Sequence, residues 1–306
     1  MKRNPSRAFA ALLALLTALC LCTVALASDS GTWGKLKWTI ENGVLTISGK
    51  GKMEDCSVHG WDNWRMSQSK YSKAVIESGV TTIGANCFRS IDIKSVSIPK
   101  TVTRIGGMAF YWDVKLTSVT IPSSVTRIDG SAFGHCSALK SITVPASVKT
   151  IGLAALGDCA ALKEIKVAKG NKHYTSADGI LYKKGKKTLV QYPAGRTDKV
   201  FAIPSYATAV EEWAFTGCKN LTRVKFATGT GTIPAYCFYD CVNMKEVTIP
   251  ASVKTVGNNA FMNCDKLKKV YYAGSEEDRA KMSIGESGNE KLTGAKWYYN
   301  HSGPDD

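Results

Sequence analysis

The sequence lacks the short motifs by which several common enzyme classes are recognised. No GxSxG nucleophile elbow, HExxH zinc motif or GxxxxGK[ST] phosphate loop occurs in its 306 residues. These absences exclude hydrolases, zinc peptidases and nucleotidases that depend on such motifs. A glycan-active enzyme with two distant carboxylates needs no local motif and stays open as an alternative. We expect no catalysed reaction.

Histidine is scarce, and the cysteines do not show the paired short spacings of a zinc site. The chain has four histidines and ten cysteines, and Cys237 and Cys241 have no second pair at a similar spacing. His135 precedes Cys136, but one is predicted to face outward and the other inward, which argues against a nucleophile and its base. We therefore predict no catalytic residue, no metal site and no cofactor.

Acidic side chains are few relative to basic ones. The chain has 25 Asp and Glu against 40 Lys and Arg, giving a formal net charge of +15. Such a balance favours anionic partners, and we predict an acidic glycan or the protein surface of a host or neighbouring cell. Nucleic acid is not expected for an exported protein. A merely soluble, lysine-rich surface is the alternative.

Only one hydrophobic run approaches the length of a membrane span, and it lies at the N-terminus. Lys2, Arg3 and Arg7 precede the apolar stretch 9–24, and Ala25-Leu26-Ala27 follows it. This pattern is typical of a secretory signal peptide, residues 1–27, cleaved before Ser28. An uncleaved anchor is the alternative, and lipidation at Cys20 or Cys22 is disfavoured by the bulky Leu19. We expect a secreted or cell-surface protein without a transmembrane segment after cleavage.

Phenylalanines recur at a fixed interval. Phe110 and Phe133 lie 23 residues apart, as do Phe215, Phe238 and Phe261. A dipeptide such as Ile121-Pro122 follows twelve residues after each of them, with Ile-Pro varied to Val-Pro, Phe-Ala or Tyr-Ala. A period in the low twenties predicts a solenoid, in which each unit buries its apolar side only against its neighbours.

Each unit contains two apolar periods, with position one assigned to the residue after the strand, usually Pro. Positions seven, eleven, fifteen and eighteen share one helical face, which predicts a short helical turn carrying Ala-Phe-x-x-Cys. Positions twenty-one and twenty-three lie on one face of a strand. The eight units begin at Glu77, Pro99, Pro122, Pro145, Ala168, Pro204, Ala227 and Pro250.

The ends and one unit depart from the repeat. Asn42-Gly43 between alternating runs predicts a β-hairpin in an N-terminal cap, residues 28–73. Repeats occupy 74–272, and thirteen extra residues predict an inserted hairpin near 174–193. Ser275, followed by three acidic residues, resembles a helix start in a C-terminal α/β cap and tail, 273–306.

The repeat resembles a known family. The motif Ile-Pro-x-Ser-Val-Thr-x-Ile-x-x-x-Ala-Phe-x-x-Cys-x-x-Leu is similar to the BspA-type leucine-rich repeats of bacterial surface and secreted proteins. The resemblance covers about 74–272 and implies a right-handed leucine-rich-repeat solenoid with a parallel strand ladder. It also implies an exported binding or adhesion protein. Tyr111-Trp112-Asp113 departs from the usual Gly-x-Cys, which indicates local repacking or a local contact site.

Eight cysteines follow the signal peptide. Five share position fifteen, namely Cys136, Cys159, Cys218, Cys241 and Cys264. Parallel side chains in neighbouring rungs suit a disulfide poorly, so we predict mostly buried thiols. The even count in an exported protein keeps disulfides as the alternative.

Basic residues recur on the outward positions of the predicted strands. Position nineteen forms a line of lysines, and two further basic residues broaden it; the candidate ligand-binding residues are Lys94, Lys140, Lys163, Arg223, Lys225, Lys245 and Lys268. Hydroxyl side chains such as Ser118 and Thr120 accompany them. Strand propensity and solubility alone would also produce this pattern.

We predict recognition of a macromolecule through this strand face. A structural or self-associating cell-surface component is the main alternative, and the motif-less enzyme is the third. Neither the ligand nor the oligomeric state follows from the sequence.

Overall fold

The computed structural model describes residues 29–57 and 63–304, so the predicted signal peptide lies outside the described residues. The described strands are β1 (Asp29–Trp33), β2 (Leu36–Glu41), β3 (Val44–Gly49), β4 (Gly51–Lys52), β5 (Lys73–Ile76), β6 (Val80–Ile83), β7 (Ser95–Ser97), β8 (Arg104–Ile105), β9 (Arg127–Ile128), β10 (Ser141–Val144), β11 (Thr150–Ile151), β12 (Glu164–Val167), β13 (Tyr174–Ala177), β14 (Ile180–Lys183), β15 (Thr188–Gln191), β16 (Val200–Ala202), β17 (Ala209–Val210), β18 (Arg223–Lys225), β19 (Thr232–Ile233), β20 (Glu246–Ile249), β21 (Thr255–Val256), β22 (Lys269–Tyr272), β23 (Ser283–Ile284) and β24 (Lys296–Tyr298). The helices are a 3-10 helix (Asn63–Lys70), α1 (Glu276–Ala280) and α2 (Glu290–Thr293).

The repeats stack into a solenoid with two ladders of parallel strands. The first ladder contains β3, β5 and β7, then β10 and β12, then β16, β18, β20, β22 and β24. The second contains β4, β6, β8, β9 and β11, then β15 and β17, then β19, β21 and β23. The first confirms the predicted parallel strand ladder. The second was not predicted. In the regular units its strands contain only positions six and seven, which is too short for a period-two pattern to be visible in the sequence.

The segment between the two ladders differs from the predicted helical turn. In the unit from Pro122, Gly134 N–H donates to Ser131 O (3.0 Å) and Leu139 N–H donates to Cys136 O (3.0 Å), as in successive tight turns. Ser131 and His135 have φ of 53° and 58°. A left-handed residue cannot continue a right-handed helix, so the chain turns twice here. Positions nine to fourteen of the units are called the turn face below.

The core is a stack of aromatic rings, as the periodicity predicts. Phe110 and Phe133 are 5.2 Å apart between ring centroids, and Phe238 lies 5.0 Å from Phe215 and 5.2 Å from Phe261. All five rings are fully buried. Each ring therefore depends on the neighbouring units for its burial.

The position-fifteen cysteines are buried free thiols, as predicted, and they also form hydrogen bonds. The Cys136 thiol donates to the carbonyl oxygen of Phe110 with an Sγ–O distance of 3.1 Å, and Cys159 donates to Phe133 in the same way. Cys241 and Cys264 repeat this bond one unit apart. The ladder thus uses cysteine as a small apolar donor to the preceding unit.

One cysteine pair departs from the thiol prediction. Cys56 and Cys87 form a disulfide with a Cα–Cα distance of 5.0 Å. The argument from parallel side chains holds only between two rungs. Cys56 belongs to the N-terminal cap and approaches Cys87 from outside the ladder, so the bond fastens the cap to the first unit.

Both ends are covered by irregular elements. At the front, β2 and β3 pair antiparallel across Asn42-Gly43, where both residues have positive φ, and β3 pairs in parallel with β5. At the back, Ser275 caps α1 with a complete capping box. Leu292 is buried, and β24 continues the first ladder. The hairpin and the capped helix therefore occur where the sequence predicts them.

The unit from Ala168 carries an antiparallel sheet of β13, β14 and β15. Gly185 and Lys186, both with positive φ, lie in the turn between β14 and β15. Before that turn, the Gly179 carbonyl accepts a hydrogen bond from Ile165 N (2.8 Å), so the insertion occupies the first ladder after β12. The ladder is interrupted at this point, which matters for the site described next.

Candidate functional site

The predicted lysines share one position along the edge of the first ladder, and two pairs of them are on neighbouring rungs. Lys163 N–H donates to the Lys140 carbonyl (3.1 Å), and Lys268 N–H donates to the Lys245 carbonyl (2.9 Å). Lys94 is joined to Thr117 by a longer bond of 3.5 Å. All five lysine side chains are exposed. The repeat register assigned from the sequence therefore brings them into line.

One member of this line was missed by sequence reasoning. The Lys199 carbonyl accepts a hydrogen bond from Thr222 N (2.7 Å), so Lys199 occupies position nineteen. The thirteen-residue insertion hides Lys199, which counting backwards from Pro204 would have identified. Lys296 of the C-terminal cap pairs with Lys269 and therefore lies at position twenty, beside the line. The basic line is defined here as Lys94, Lys140, Lys163, Lys199, Lys245 and Lys268.

The five predicted lysines of the basic line are free of ion pairs within the described part of the chain. Their neighbours at position twenty, by contrast, include paired charges. Glu164 lies 2.8 Å from Lys166 Nζ, so this pair neutralises itself beside the line. Free, solvated ammonium groups are the part of this surface that can meet an external anion.

Arg223 does not contribute the free charge that the sequence suggested. Its Nε lies 2.9 Å from Glu246 Oε2, while Glu246 Oε1 is 3.4 Å from Lys269 Nζ. The hydrogen bond that Lys269 donates to Glu246 raises the pKa of Lys269 above its usual value. Arg223 and Lys269 thus share one carboxylate, which offsets one of their two charges. Lys225, the other basic residue predicted to widen the line of lysines, is exposed.

The last rungs of the strand face are covered by the C-terminal tail. Thr248 and Tyr271 occupy the outward position twenty-two but are only 3% and 6% exposed. Tyr271 stacks on Tyr298 at a centroid distance of 5.2 Å and contacts the tilted ring of His301 at 5.1 Å. The middle of this face is therefore closed at the C-terminal end, while the basic line on its edge stays open.

Several surface depressions adjoin the basic line, and two of them lie beside the lysine pairs on neighbouring rungs. One, of about 310 Å³, is lined by Lys245, Glu246, Lys266, Lys268 and Lys269. The other, of about 450 Å³, lies between the rungs that contain Ser118 to Ser123 and Ser141 to Ala146. Its rim includes the exposed hydroxyls of Ser118, Thr120, Ser141 and Thr143. Charge and hydrogen-bond donors thus occur side by side.

The described residues do not bring together a reactive pair at His135 and Cys136. His135 Nδ1 lies 3.0 Å from Asp158 Oδ2, whereas the Cys136 thiol donates inward to Phe110 O. Burial raises the pKa of the Cys136 thiol well above its usual value, which keeps it protonated. The two side chains point apart, as expected.

Within the described residues, no group of three or more His, Cys, Asp or Glu side chains is arranged to hold a metal ion. No helix within 29–57 or 63–304 is long and apolar enough to cross a membrane.

Comparison with known structures places the chain among bacterial leucine-rich repeat proteins. A leucine-rich repeat protein from Eubacterium ventriosum is 30% identical, with a TM-score of 0.70 over 82% of this chain and 73% of that one. The pneumococcal vaccine antigen PcpA shares the fold at 19% identity, with a TM-score of 0.58 over 90% of this chain and 89% of that one. No curated protein matches the chain significantly.

The repeat sequence itself matches a family model. The model describes the BspA-type leucine-rich repeat region, and six copies match residues 65–177 and 198–283. These ranges include all five predicted lysines of the basic line, and the gap between them, 178–197, falls mostly within the insertion. The chain belongs to the BspA-type leucine-rich repeat family, whose members are bacterial surface proteins.

Proposed function

We propose that this protein is an exported recognition protein that binds an anionic macromolecule of a host or neighbouring cell along the basic line. The observation that carries the proposal is the row of five exposed lysines without ion pairs, Lys94, Lys140, Lys163, Lys245 and Lys268. The family and the N-terminal signal sequence support a location outside the cytoplasm. An acidic glycan or an acidic protein surface has the required charge.

The spacing of the line suits an extended polyanion. Neighbouring rungs lie about 4.8 Å apart, so adjacent lysines such as Lys140 and Lys163 present positive charge at a regular interval. Each exposed ion pair contributes only about 0–1 kcal/mol. Useful affinity therefore requires several simultaneous contacts, and it should fall as salt screens them.

The test uses residues 28–306 with a sulfated polysaccharide, a carboxylated polysaccharide and a highly acidic protein as probes. We expect the triple variant Lys140→Glu, Lys163→Glu and Lys245→Glu to lose binding. Its matched control is Lys100→Glu, Lys149→Glu and Lys254→Glu, three exposed lysines away from the line with the same change in net charge. The control should bind like the parent chain.

Equal binding by the two triple variants would show that the basic line is only a solvated surface without a binding role. Concentration-dependent assembly of the parent chain without any probe would instead support a structural, self-associating role. Turnover of a polysaccharide would support the motif-less enzyme. Each result is measured on the same preparation.

A further inference from the structure

The turn face contains a cavity that lies between two aromatic side chains. Tyr111 and Trp213 border a space of about 270 Å³, and small residues of two of the three intervening units line it, namely Ser131, Gly134, Ala154 and Gly157. We call this space the aromatic trough. It lies away from the basic line, which is on the first ladder, so it is a separate candidate site.

The trough exists because the insertion-bearing unit is drawn inward on the turn face. Pro193, Ala194 and Gly195 of that unit are buried, and Gly195 N–H donates to Leu162 O (2.8 Å). The turns of the unit before and the unit after the insertion-bearing unit therefore approach each other above its buried segment. A Cβ added to Gly157 would lie 2.7 Å from Thr216 Cγ2, so glycine is required for this approach. Units that are distant in sequence thereby share one cavity.

The backbone beside the trough carries bulky residues in an unfavourable conformation. Position ten has positive φ in the regular units, and the outer units place Asn there, at Asn86 and Asn259. Asn tolerates this conformation well, whereas bulky side chains do not. Next to the trough, the same position holds Met108 and Trp213, with φ of 54° and 63°. Selection for stability alone would favour Asn at these positions, and strain of this kind clusters at functional sites.

The Trp213 ring is held from behind, which leaves its other face beside the cavity. Trp213 and Tyr236 are parallel to within 5°, with ring centroids 4.1 Å apart. On the opposite wall, the Arg89 guanidinium lies 5.3 Å from the centroid of Tyr111. Rigid aromatic walls bind a ligand at low conformational cost, because few side-chain rotations are lost.

The polar groups of the trough are uncharged hydrogen-bonding groups together with one histidine. Ser131, Thr216 and His135 line it, and none of its lining residues is Lys, Arg, Asp or Glu. The His135 ring is fixed by Asp158, 3.0 Å from Nδ1, and by an edge contact to Tyr111 at 5.0 Å. The trough therefore suits a neutral ligand with one apolar face and a hydroxyl-bearing edge.

We propose that the aromatic trough binds a neutral sugar ring of a glycan. A pyranose has a face of C–H groups that can stack on Trp213 and a rim of hydroxyls that can reach Ser131 and His135. The volume of about 270 Å³ is near the lower end of the range for small-molecule sites, which suits a single ring. This site recognises an uncharged carbohydrate, whereas the basic line recognises an anion.

The test measures binding of residues 28–306 to gluco-, galacto- and manno-oligosaccharides by calorimetry and tryptophan fluorescence. The decisive variant is Trp213→Asn, which installs the residue found at the same position as Asn259. We expect it to remain folded, with a thermal midpoint equal to or above that of the parent chain. Its sugar affinity should fall by about tenfold or more, since an aromatic anchor is lost.

The matched control is Tyr206→Asn, which removes an aromatic ring that is 42% exposed outside the trough. It should leave sugar binding unchanged. Binding of no member of the sugar panel would overturn the proposal, as would equal affinity in Trp213→Asn and the parent chain. Preferential binding of an aliphatic detergent over every sugar would show a purely apolar site and would also overturn it.

Discussion

At the scale of single residues, Asp113 occupies the position that cysteine fills in five other units. It is fully buried, and Oδ1 accepts hydrogen bonds from the N–H groups of Ile91 (3.0 Å) and Asp92 (2.8 Å). Among the described residues, Oδ2 has no hydrogen-bond partner. The preceding unit is one residue short, and Asp113 supplies an acceptor to that shortened segment.

Burial raises the pKa of Asp113 well above its usual value, despite the two N–H donors. Burial therefore favours the protonated acid in the folded protein. Its contribution to stability is complete below the unfolded-state pKa of about 4 and is lost as pH rises through the folded-state pKa. Asp113→Asn keeps the accepting oxygen without the charge.

We accordingly expect Asp113→Asn to be more stable than the parent chain at pH 8, because Asn removes the ionisable group whose charge is costly in the core, and each unit of pKa elevation corresponds to about 1.4 kcal/mol. The difference from the parent chain should shrink toward pH 4. Urea unfolding of both proteins across this pH range provides the measurement. A difference that is constant with pH would show that Asp113 does not titrate in the fold.

The cysteines give a second prediction at this scale. Burial raises the pKa of Cys159 to about 12, and the six free thiols are all buried. In residues 28–306, all six should resist alkylation in the native state and react after denaturation without reductant. Cys56 and Cys87 should react only after reduction. Mass spectrometry that finds Cys136 linked to Cys159 would contradict this assignment.

These residues show which features of the structure could be predicted from the sequence and which could not. The Cys136 ladder was predictable because five units repeat it, and a periodic pattern fixes the side-chain direction. Asp113 and the bond between Cys56 and Cys87 were not predictable in this way. Each occurs once, and each depends on a three-dimensional neighbour that the period does not specify.

At the scale of elements, the solenoid unit is a strand, two tight turns and a second, shorter strand. The longer strand and the Phe133 position follow from apolar spacing. The two turns do not, because their spacing of four, four and three is also that of a helix. What separates turns from helix is the left-handed backbone at residues such as Ser131, and many residue types occupy that position.

The ring stack gives the element-scale prediction. Phe238→Ala removes an internal ring that lies against Phe215 and Phe261, and it should cost about 3–5 kcal/mol. Solenoid stability is close to a sum over neighbouring units. Hydrogen exchange should therefore quicken first in the units from Pro204 to Tyr272. Tyr206→Ala, at an exposed ring, serves as the control.

An unchanged thermal midpoint in Phe238→Ala would mean that the ring stack does not hold the C-terminal units together. Loss of protection spread evenly from β1 to β24 would instead indicate a single cooperative block. We expect the loss of protection to be local, because the ring stack is interrupted at the insertion. There, Leu156 and Tyr192 occupy the position that Phe holds in the other units.

At the scale of the whole molecule, two surfaces with different chemistry lie on separate sides of one coil. The basic line was largely predictable, since one repeat position supplies Lys140, Lys163 and Lys245. The aromatic trough was not, because Tyr111 and Trp213 are 102 residues apart in sequence. Only the inward path of the insertion-bearing unit brings their turns to one cavity.

The two surfaces should respond differently to salt. We expect binding of a sulfated polysaccharide to weaken by about tenfold or more between about 0.05 and 0.5 M sodium chloride, since screening acts on exposed charges. Binding of a neutral oligosaccharide should change little. Calorimetry with both ligands on one preparation measures this. Equal salt dependence would show that the two ligands share one surface.

The insertion after β12 has a further consequence, because it divides the basic line into two groups. Lys94, Lys140 and Lys163 precede it, and Lys199, Lys245 and Lys268 follow it. A short polyanion can occupy one group only, whereas a longer one bridges both, and its second contact forms at an effective concentration that reaches the millimolar range. Affinity should therefore rise in a step with the length of the polymer. The protein would discriminate by chain length, an avidity effect that neither group could produce by itself.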